Sequence, residues 1–316
     1  MIIQLLLPML LVSAAPASAD EHLVYALPTT LPAVVAYVTL DKGFFKEEGL
    51  DVEGKMFSSG REALQMLLAG QAQIQSVSET PVVHAILQGN KIVTIATQSR
   101  HTEAKFIGRK DHGIASPADL RGKKIATTPG TNSDYFMYQF LERHGIPVSE
   151  VKIANMPPPE MVVAFAKGDI DGFFAWQPHI YYGQHQLPEQ SIVFPPGDLY
   201  VGRNTVNMNS DYVKEHPETV RKIIRALLKG SDFVKAHPDE AVELVSKRLK
   251  IEVAILKDLW KENSYQLELD PEFPKLMEKV GRWARGKSSP EQPLPDFRSH
   301  IYPDALARER PSAVKL

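Results

Sequence analysis

Hydroxyl and amide side chains occur at four places where a predicted strand is followed by a predicted helix. These residues are Thr29, Thr30, Ser58, Ser59, Thr80, Thr131, Asn132 and Ser133. Each could simply cap its helix by accepting a hydrogen bond from the helix backbone. A helix N-terminus also carries unpaired N–H groups and about half a positive charge, which attract small anions. Four such loops at one edge of a sheet therefore favour a shared polar site for a small anionic or polar ligand.

Two further strand ends carry groups suited to an organic ligand. Trp176, followed by Gln177 and Pro178, ends a predicted strand, where an indole either covers a small ligand or packs in the core. Glu79 lies in the same loop as Thr80. A carboxylate facing an anion site would repel an anion, so Glu79 in the cleft would imply a ligand with a cationic or hydrogen-bond-donating end. Glu79 facing solvent would imply nothing about the ligand.

The sequence lacks the familiar catalytic and metal-binding motifs. Gly122-Lys123-Lys124 is not a phosphate loop, because that motif needs a glycine where the chain has Pro117. His179 and His185, the histidines closest in sequence, lack the i,i+4 spacing of two metal ligands on one helix face. Cysteine is absent, which excludes thiolate metal sites and cysteine nucleophiles. The sequence therefore predicts no cofactor and no metal site, and it favours a binding protein over an enzyme.

The charge balance and the N-terminus indicate the partners and the compartment. A formal net charge of -2 argues against nucleic acid as a partner. The apolar run from Ile2 to Val12 precedes Ala17 and Ala19, whose spacing suits a signal peptidase, although no Lys or Arg precedes the run. We expect residues 1–19 to be a signal peptide that is cleaved after Ala19. The alternative is an N-terminal hydrophobic helix of the mature fold.

The elements that would position the candidate site follow one order twice along the chain. A strand, a helix and a further strand alternate from Leu23 to Thr97 and again from Lys124 to Ala175. The helix–glycine–strand joints at Gly70 and Gly168 align between the two copies. This alternation indicates an α/β protein with parallel strands and an internal repeat. We also predict that Ile92–Thr97 is a buried parallel strand because of its β-branched residues.

The repeat predicts two lobes that face each other across a cleft, since open α/β sheets bind ligands outside the carboxyl ends of their strands. We expect lobe 1 to contain residues 20–108 and 205–316 and lobe 2 to contain residues 109–204, with hinge segments near 106–111 and 201–207. The last third is predicted to be helical, with Pro217 and Pro238 in the first turns of two helices. The tail that ends at Leu316 is expected to pack on lobe 1.

Several motifs, in this order, resemble the periplasmic substrate-binding proteins of nitrate, taurine and alkanesulfonate ABC importers, the NMT1/THI5-like family. That family also includes proteins that bind thiamine-precursor pyrimidines. The resemblance extends from about Leu23 to about Trp283. The motifs are Gly43-Phe44-Phe45, Gly49-Leu50-Asp51-Val52, Ala69-Gly70-Gln71, Asp119-Leu120-Arg121-Gly122-Lys123-Lys124-Ile125-Ala126, Gly130-Thr131, Gly168-Asp169-Ile170-Asp171-Gly172 and Trp176-Gln177-Pro178.

The resemblance implies a type II periplasmic-binding fold, in which two α/β lobes joined by a two-strand hinge close on one small ligand. It also implies a permease partner and a periplasmic location. By position, the family's ligand contacts fall on Thr29, Thr30, Ser58, Ser59, Glu79, Thr80, Thr131, Asn132, Trp176 and Gln177. Two departures, Gln177 in place of the usual glutamate and Glu79 in place of a small residue, argue against plain nitrate or a plain sulfonate.

The leading hypothesis is a monomeric, non-enzymatic receptor for a sulfonate- or taurine-like solute. Binding of a thiamine-precursor pyrimidine or an aromatic acid is the alternative within the same family. Pyrimidine-synthase-like enzymes resemble this fold too, but they rely on a cysteine-rich motif and this chain has no cysteine. A sensory protein whose cleft controls a regulator is a third hypothesis, which the signal-like N-terminus disfavours.

Overall fold

The computed structural model describes residues 21–288 and 291–316. The predicted signal peptide, residues 1–19, lies outside the described residues. The described chain is mixed α/β and contains two sheets. Within these two ranges, no helix is long and apolar enough to cross a membrane.

Eleven strands build the two sheets. They are β1 Glu21–Pro28, β2 Leu50–Phe57, β3 Ile74–Ser78, β4 Ile92–His101, β5 Lys105–Arg109, β6 Lys124–Thr127, β7 Lys152–Asn155, β8 Gly172–Ala175, β9 Ser191–Phe194, β10 Gly202–Asn209 and β11 Asn263–Glu268.

Helices follow most of the strands and make up most of the last third. They are α1 Val34–Asp41, α2 Phe44–Glu47, α3 Gly60–Leu68, α4 Glu79–Leu87, α5 Asn132–Arg143, α6 Pro158–Lys167, α7 His179–Gln186, α8 Ser210–Glu215, α9 Pro217–Ala236, α10 Pro238–Leu249, α11 Val253–Trp260, α12 Glu272–Ser288 and α13 Asp304–Glu309. Short 3-10 helices cover Leu31–Ala33, Pro117–Leu120, Val148–Glu150, Phe297–His300 and Pro311–Ala313.

The second sheet repeats the pairing pattern of the first. The strand orders are β11-β4-β10-β3-β1-β2 and β7-β6-β8-β5-β9. In the first sheet β1 is parallel to β2 and β3, while β10 lies antiparallel between β3 and β4. In the second sheet β6 is parallel to β7 and β8, while β5 lies antiparallel between β8 and β9. This correspondence confirms the predicted internal repeat.

The strand predicted to be parallel at Ile92–Thr97 is antiparallel, and it is longer than predicted. β4 extends to His101 and pairs antiparallel with both β10 and β11. Nearly all of its residues are buried. The β-branched residues therefore reflect a strand that is buried on both faces. Central antiparallel strands can be buried in this way as well as parallel ones, so the composition does not distinguish the two. The extra length moves the loop that follows β4 to residues 102–104.

The chain crosses between the two sheets twice. β5 of the second sheet follows β4 of the first after three residues, and β10 of the first sheet follows β9 of the second after residues 195–201. The two sheets thus form the two lobes, joined by two crossings, that the resemblance implies. The predicted lobe boundaries, after residues 108 and 204, fall inside β5 and β10, and that exact division of the chain stays a prediction.

The C-terminal third packs on the first lobe. α9 begins at Pro217, as predicted, and it buries an apolar stripe that includes Val220, Ile223 and Leu227. This helix packs against α1, α2 and α13. The backbone nitrogen of Tyr302 donates a hydrogen bond of 2.9 Å to the carbonyl of Thr94 in β4. These contacts confirm that the tail covers lobe 1.

Candidate functional site

A cavity lies where the strand ends of the two lobes face each other. Lobe 1 contributes residues at or after the ends of β1, β3 and β4, at the start of α3 and in β10, and lobe 2 contributes residues at the start of α5 and after β8. The total empty space there is about 330 Å³, which includes open solvent at the mouth, and only about 20 Å³ can hold the centre of a water-sized molecule. At its mouth, Arg61 of α3 donates a hydrogen bond to the carbonyl of Pro129 in the opposite lobe. The lining residues are Pro28, Thr30, Gly60, Arg61, Val77, Ser78, Pro81, Glu103, Thr131, Asn132, Trp176 and Asn204.

Four of the predicted ligand contacts line this cavity, namely Thr30, Thr131, Asn132 and Trp176. Thr30 and Thr131 precede helices without capping them through their side chains. The Thr131 hydroxyl donates to the carbonyl of Thr128 at 2.7 Å instead. Asn132 begins α5 and Trp176 follows β8. The structure thus brings these strand-end residues together, and their contact with a ligand stays a prediction.

Three predicted hydroxyl contacts are engaged within lobe 1 and are absent from the cavity lining. The Thr29 hydroxyl donates to the carbonyl of Phe57 at 2.5 Å. Ser58 forms a 2.8 Å hydrogen bond with the carboxylate of Glu62. Ser59 accepts a hydrogen bond from the backbone nitrogen of Glu62 at 3.2 Å and so caps α3. For Ser59, capping is the role that the structure shows.

Gln177 follows Trp176 in the sequence but is not part of the cavity lining. Its Nε2 donates to Oε1 of Glu262 at 3.2 Å, and its Oε1 accepts from the backbone nitrogen of Tyr181 at 3.1 Å. Gln177 therefore connects the end of β8 in lobe 2 to a residue of lobe 1. The departure from the family's usual glutamate affects this contact between the lobes and not the lining of the cavity.

Glu79 faces neither the cavity nor solvent, so neither predicted position is correct. The side chain is fully buried. Its carboxylate accepts hydrogen bonds from the Tyr200 hydroxyl at 2.5 Å, the Arg203 backbone nitrogen at 2.9 Å and the Thr80 hydroxyl at 2.9 Å. Burial raises the pKa of Glu79, although these donors oppose the shift. Glu79 and Thr80 thus fix α4 to the second crossing between the lobes. Glu79 therefore gives no indication that the ligand has a cationic end.

Two helix N-termini and one arginine direct positive potential at the cavity. α3 and α5 begin at Gly60 and Asn132, which both line it. Each N-terminus carries about half a positive charge, and Arg61 adds a full charge at the mouth. A Cβ on Gly60 would lie 2.4 Å from Cγ2 of Val77, so only glycine lets the start of α3 approach β3 this closely. This arrangement suits an anionic group.

Three buried polar atoms of the lining have no hydrogen-bond partner within the described part of the chain. They are Nδ2 of Asn132, Nε1 of Trp176 and Oε2 of Glu103. Buried polar groups are paired in the great majority of proteins, and an unpaired one costs about 1–3 kcal/mol. The first two atoms are donors and the third belongs to a carboxyl group. A ligand with an acceptor-rich end and a donating end would satisfy all three atoms.

Glu103 is the most important cavity residue that the sequence patterns did not predict. It is only 2% exposed, and it follows β4, whose predicted end at Thr97 was four residues too early. With the correct strand end, the rule that selected the other loops would have selected this one. Burial raises the pKa of Glu103 well above its usual value, the charge of Glu262 raises it further, and Lys105 opposes the shift.

Arg61, Ser78 and Asn204 also line the cavity without having been predicted. Arg61 and Ser78 lie next to predicted residues in the loops at the starts of α3 and α4. Asn204 gives no comparable signal, because it lies within β10. The position of β10 between β3 and β4 depends on the return of the chain from the second lobe.

Comparison with known proteins gives consistent results. A family model described as NMT1/THI5 like matches residues 33–241. The taurine-binding periplasmic protein of Escherichia coli (strain K12) is 28% identical over 210 residues, or 62% of this chain and 61% of that protein. The match therefore spans less than two thirds of that relative's length.

Solved structures share the fold at low sequence identity. The alkanesulfonate-binding protein SsuA from Xanthomonas axonopodis pv. citri, bound to MOPS, superposes with a TM-score of 0.78 at 14% identity, covering 91% of this chain and 100% of that chain. The periplasmic nitrate-binding protein NrtA from Synechocystis PCC 6803 superposes with a TM-score of 0.74 at 15% identity, covering 92% and 89%. The two-lobed architecture is thus the periplasmic-binding-protein fold, and the chain belongs to the NMT1/THI5-like family.

Proposed function

We propose that this protein is the periplasmic solute-binding component of an ABC importer and that it captures a small sulfonate- or taurine-like solute between its lobes. The observation that carries the proposal is the set of three unpaired buried polar atoms in one cavity between the lobes. Relatives in the same family bind taurine, according to their names, and a structural neighbour was solved with MOPS bound.

The cavity matches a zwitterion better than a simple anion. A sulfonate group offers three acceptor oxygens to Asn132 Nδ2, Trp176 Nε1 and the N-termini of α3 and α5, with Arg61 at the mouth. An ammonium group offers donors to the free oxygen of Glu103. The proposal therefore retains a cationic ligand end, but it assigns Glu103 as its partner in place of Glu79.

Ligand binding in such a cavity stabilises the closed arrangement of the lobes. Asn132 and Trp176 belong to lobe 2, whereas Glu103 follows β4 of lobe 1. A ligand that contacts all three residues has a higher affinity for the closed form than for the open form, and it shifts the population accordingly. In this proposal a membrane permease recognises the closed, ligand-bound monomer.

We infer transport and not catalysis as the use of this cavity. The relatives named above are binding proteins, and the sequence contains no cysteine for the motif of the pyrimidine-synthase-like enzymes. A pyrimidine or an aromatic acid remains the alternative ligand class, because the indole of Trp176 offers a surface on which an aromatic ring could stack.

A thermal-shift screen followed by calorimetry tests the proposal. The ligands are taurine, ethanesulfonate without the ammonium group, ethanolamine without the sulfonate group, nitrate, benzoate and a hydroxymethylpyrimidine. Taurine at a hundredfold excess over its Kd should add about 2.7 kcal/mol to the free energy of unfolding, and ethanesulfonate should bind more weakly. A shift with the aromatic ligands alone would refute the sulfonate class and favour the alternative.

A further inference from the structure

A second carboxyl group, that of Glu262, interacts electrostatically with Glu103 and is not part of the cavity lining. Glu262 precedes β11, and its carbonyl accepts a hydrogen bond of 2.9 Å from the backbone nitrogen of Thr102. Oε1 of Glu262 accepts hydrogen bonds from Lys105 Nζ and Gln177 Nε2. Oε2 of Glu262 and Oε2 of Glu103 are both buried and have no hydrogen-bond partner among the described residues.

The neighbours of this pair supply too little positive charge for two ionised carboxylates. The charged and titratable groups around Glu103 are Glu262, Lys105, Tyr37, Tyr265 and, in the lining of the same cavity, Arg61. Both tyrosines are neutral, because burial raises the pKa of each hydroxyl. The Arg61 guanidinium is engaged by the carbonyl of Pro129 at the mouth. Lys105 is therefore the one cation, in the described part of the chain, that contacts the pair.

Charge balance then defines the state of the empty site. Lys105 and Glu262 form an ion pair, which leaves Glu103 without a counter-ion. An ionised carboxylate that is buried and unpaired is so costly that the group takes up a proton instead. Two carboxylates that share one site also resist ionising together. The trio of Lys105, Glu262 and Glu103 is neutral only if one further positive charge is present, and that charge is either a proton or a cationic group of the ligand.

Building on the proposed function, we propose that Glu103 retains a proton when the cavity is empty, while Glu262 is paired with Lys105, and that the ammonium group of a zwitterionic ligand displaces this proton. The carboxyl O–H of Glu103 breaks, the proton leaves to the buffer, and the carboxylate pairs with the ammonium group. The charge around Glu103 is the same before and after binding, because the ammonium group replaces the proton; the charge of the sulfonate lies at the other end of the ligand. A sulfonate without a cationic group leaves the proton in place.

This exchange makes ligand selection depend on pH. Below the folded-state pKa of Glu103, each unit of rising pH should tighten taurine binding about tenfold, because one proton is released per ligand bound. Binding of ethanesulfonate should change little over the same range. The site would thus separate amino-sulfonates from plain sulfonates most strongly at the upper end of this range.

Calorimetry in buffers of different ionisation enthalpy measures the released proton directly. We expect about one proton per taurine, none per ethanesulfonate, and none per taurine in a Glu103→Gln variant, which also binds taurine at least tenfold more weakly. A Glu262→Gln variant keeps a neutral acceptor for Lys105 but removes the negative charge of Glu262. Lys105 can then serve as the counter-ion of Glu103, which ionises more readily in the empty site, so taurine should release fewer protons at the same pH. Glu160→Gln, at an exposed position, is the matched control and should behave as the wild type.

The possible failures are distinguishable. Taurine binding without proton release overturns this inference and leaves the proposed function intact, whereas no taurine binding at any pH overturns the displacement step together with the proposed function. The proton of the empty site has its own readout. As pH rises from about 4.5, ligand-free wild type should lose thermal stability relative to Glu103→Gln until the folded-state pKa is passed. A difference that stays constant between pH 4.5 and 8 refutes the proton on Glu103 in the empty site.

Discussion

Replacing Asn132 with Asp should abolish ligand binding while leaving the fold intact. Asn132 is only 5% exposed, begins α5, lines the cavity and has a buried Nδ2 donor without a partner among the described residues. Asp has nearly the same shape, but it presents an acceptor and a negative charge where the proposed sulfonate lies. The substitution therefore changes the chemistry of the site without changing its volume.

The two effects on binding can be estimated separately. Loss of a hydrogen bond to a charged group costs about 1.5–3 kcal/mol. Two like charges about 4 Å apart at an effective dielectric constant near 20 repel each other by about 4 kcal/mol. Together these terms should weaken sulfonate binding at least a thousandfold. In the ligand-free protein, burial of the new carboxylate is unfavourable, as it is for Glu103, and the N-terminus of α5 offsets only about 0.3–1 kcal/mol of that cost, while Asp134 in the same turn adds to it.

Isothermal titration with taurine and urea denaturation of the ligand-free protein measure the two sides of this prediction. We expect no detectable taurine binding and a folded protein whose free energy of unfolding is lower than that of wild type by about 1–3 kcal/mol. Asn155→Asp makes the same change at an exposed position of β7 and should leave both quantities unchanged. A folded Asn132→Asp variant that binds taurine within threefold of wild type would refute the placement of the anion at α5.

Three further predictions concern the indole, the second crossing and the start of α3. Taurine binding should change the tryptophan fluorescence of the protein, because Trp176 lines the cavity. Trp176→Phe removes the cavity donor, so it should weaken taurine binding by about 10–100-fold and abolish that fluorescence change, whereas replacing either of the other two tryptophans should preserve both binding and the fluorescence change. Asp270→Asn removes the carboxylate that accepts hydrogen bonds of 2.7 and 3.2 Å from buried Arg203, so urea denaturation should show a loss of about 3–5 kcal/mol. Burial raises the pKa of Asp270, but the hydrogen bonds and charge of Arg203 outweigh burial and hold this pKa below the usual 3.8. The ionised carboxylate therefore stabilises the fold fully above pH 3.8. The stability difference between wild type and Asp270→Asn should disappear as pH falls through the folded-state pKa of Asp270. Gly60→Ala places a Cβ 2.4 Å from a methyl carbon of Val77 in β3. It should lower the free energy of unfolding by about 1–3 kcal/mol and weaken taurine binding. Gly286→Ala, which has open space around the new Cβ, should leave the free energy of unfolding unchanged or raise it.

Local patterns were sufficient for most of the fold and part of the site. Lys124–Thr127 is a strand with the predicted bounds, and Pro217 and Pro238 begin helices as predicted. Thr131 and Asn132 lie in the cavity because parallel strands bring the loops at their carboxyl ends to one edge. Signals of this kind involve residues close in sequence, and the sequence displays them directly.

The rest of the site depends on pairing between distant segments. β4 continues to His101 because β11, more than 150 residues later, pairs with its end. Glu103 and Glu262 become neighbours through that pairing, and no spacing in the sequence indicates it. Glu79 illustrates the reverse case, since its loop was predicted well but its carboxylate is taken by Tyr200 and Arg203 of the returning crossing.

The exchange of strands between the two sheets affects the order in which the protein can fold as it is made. Within the described residues, β4 pairs with no strand other than β10 and β11, which begin at Gly202 and Asn263. A ribosome that has reached His101 must therefore add roughly a hundred further residues before β4 finds a partner. Until then the first sheet stays open along β3 as well, because β10 completes both edges. The nascent chain thus remains for a long interval without a completed first lobe. During that interval it is in the unfolded state that a protein translocase requires.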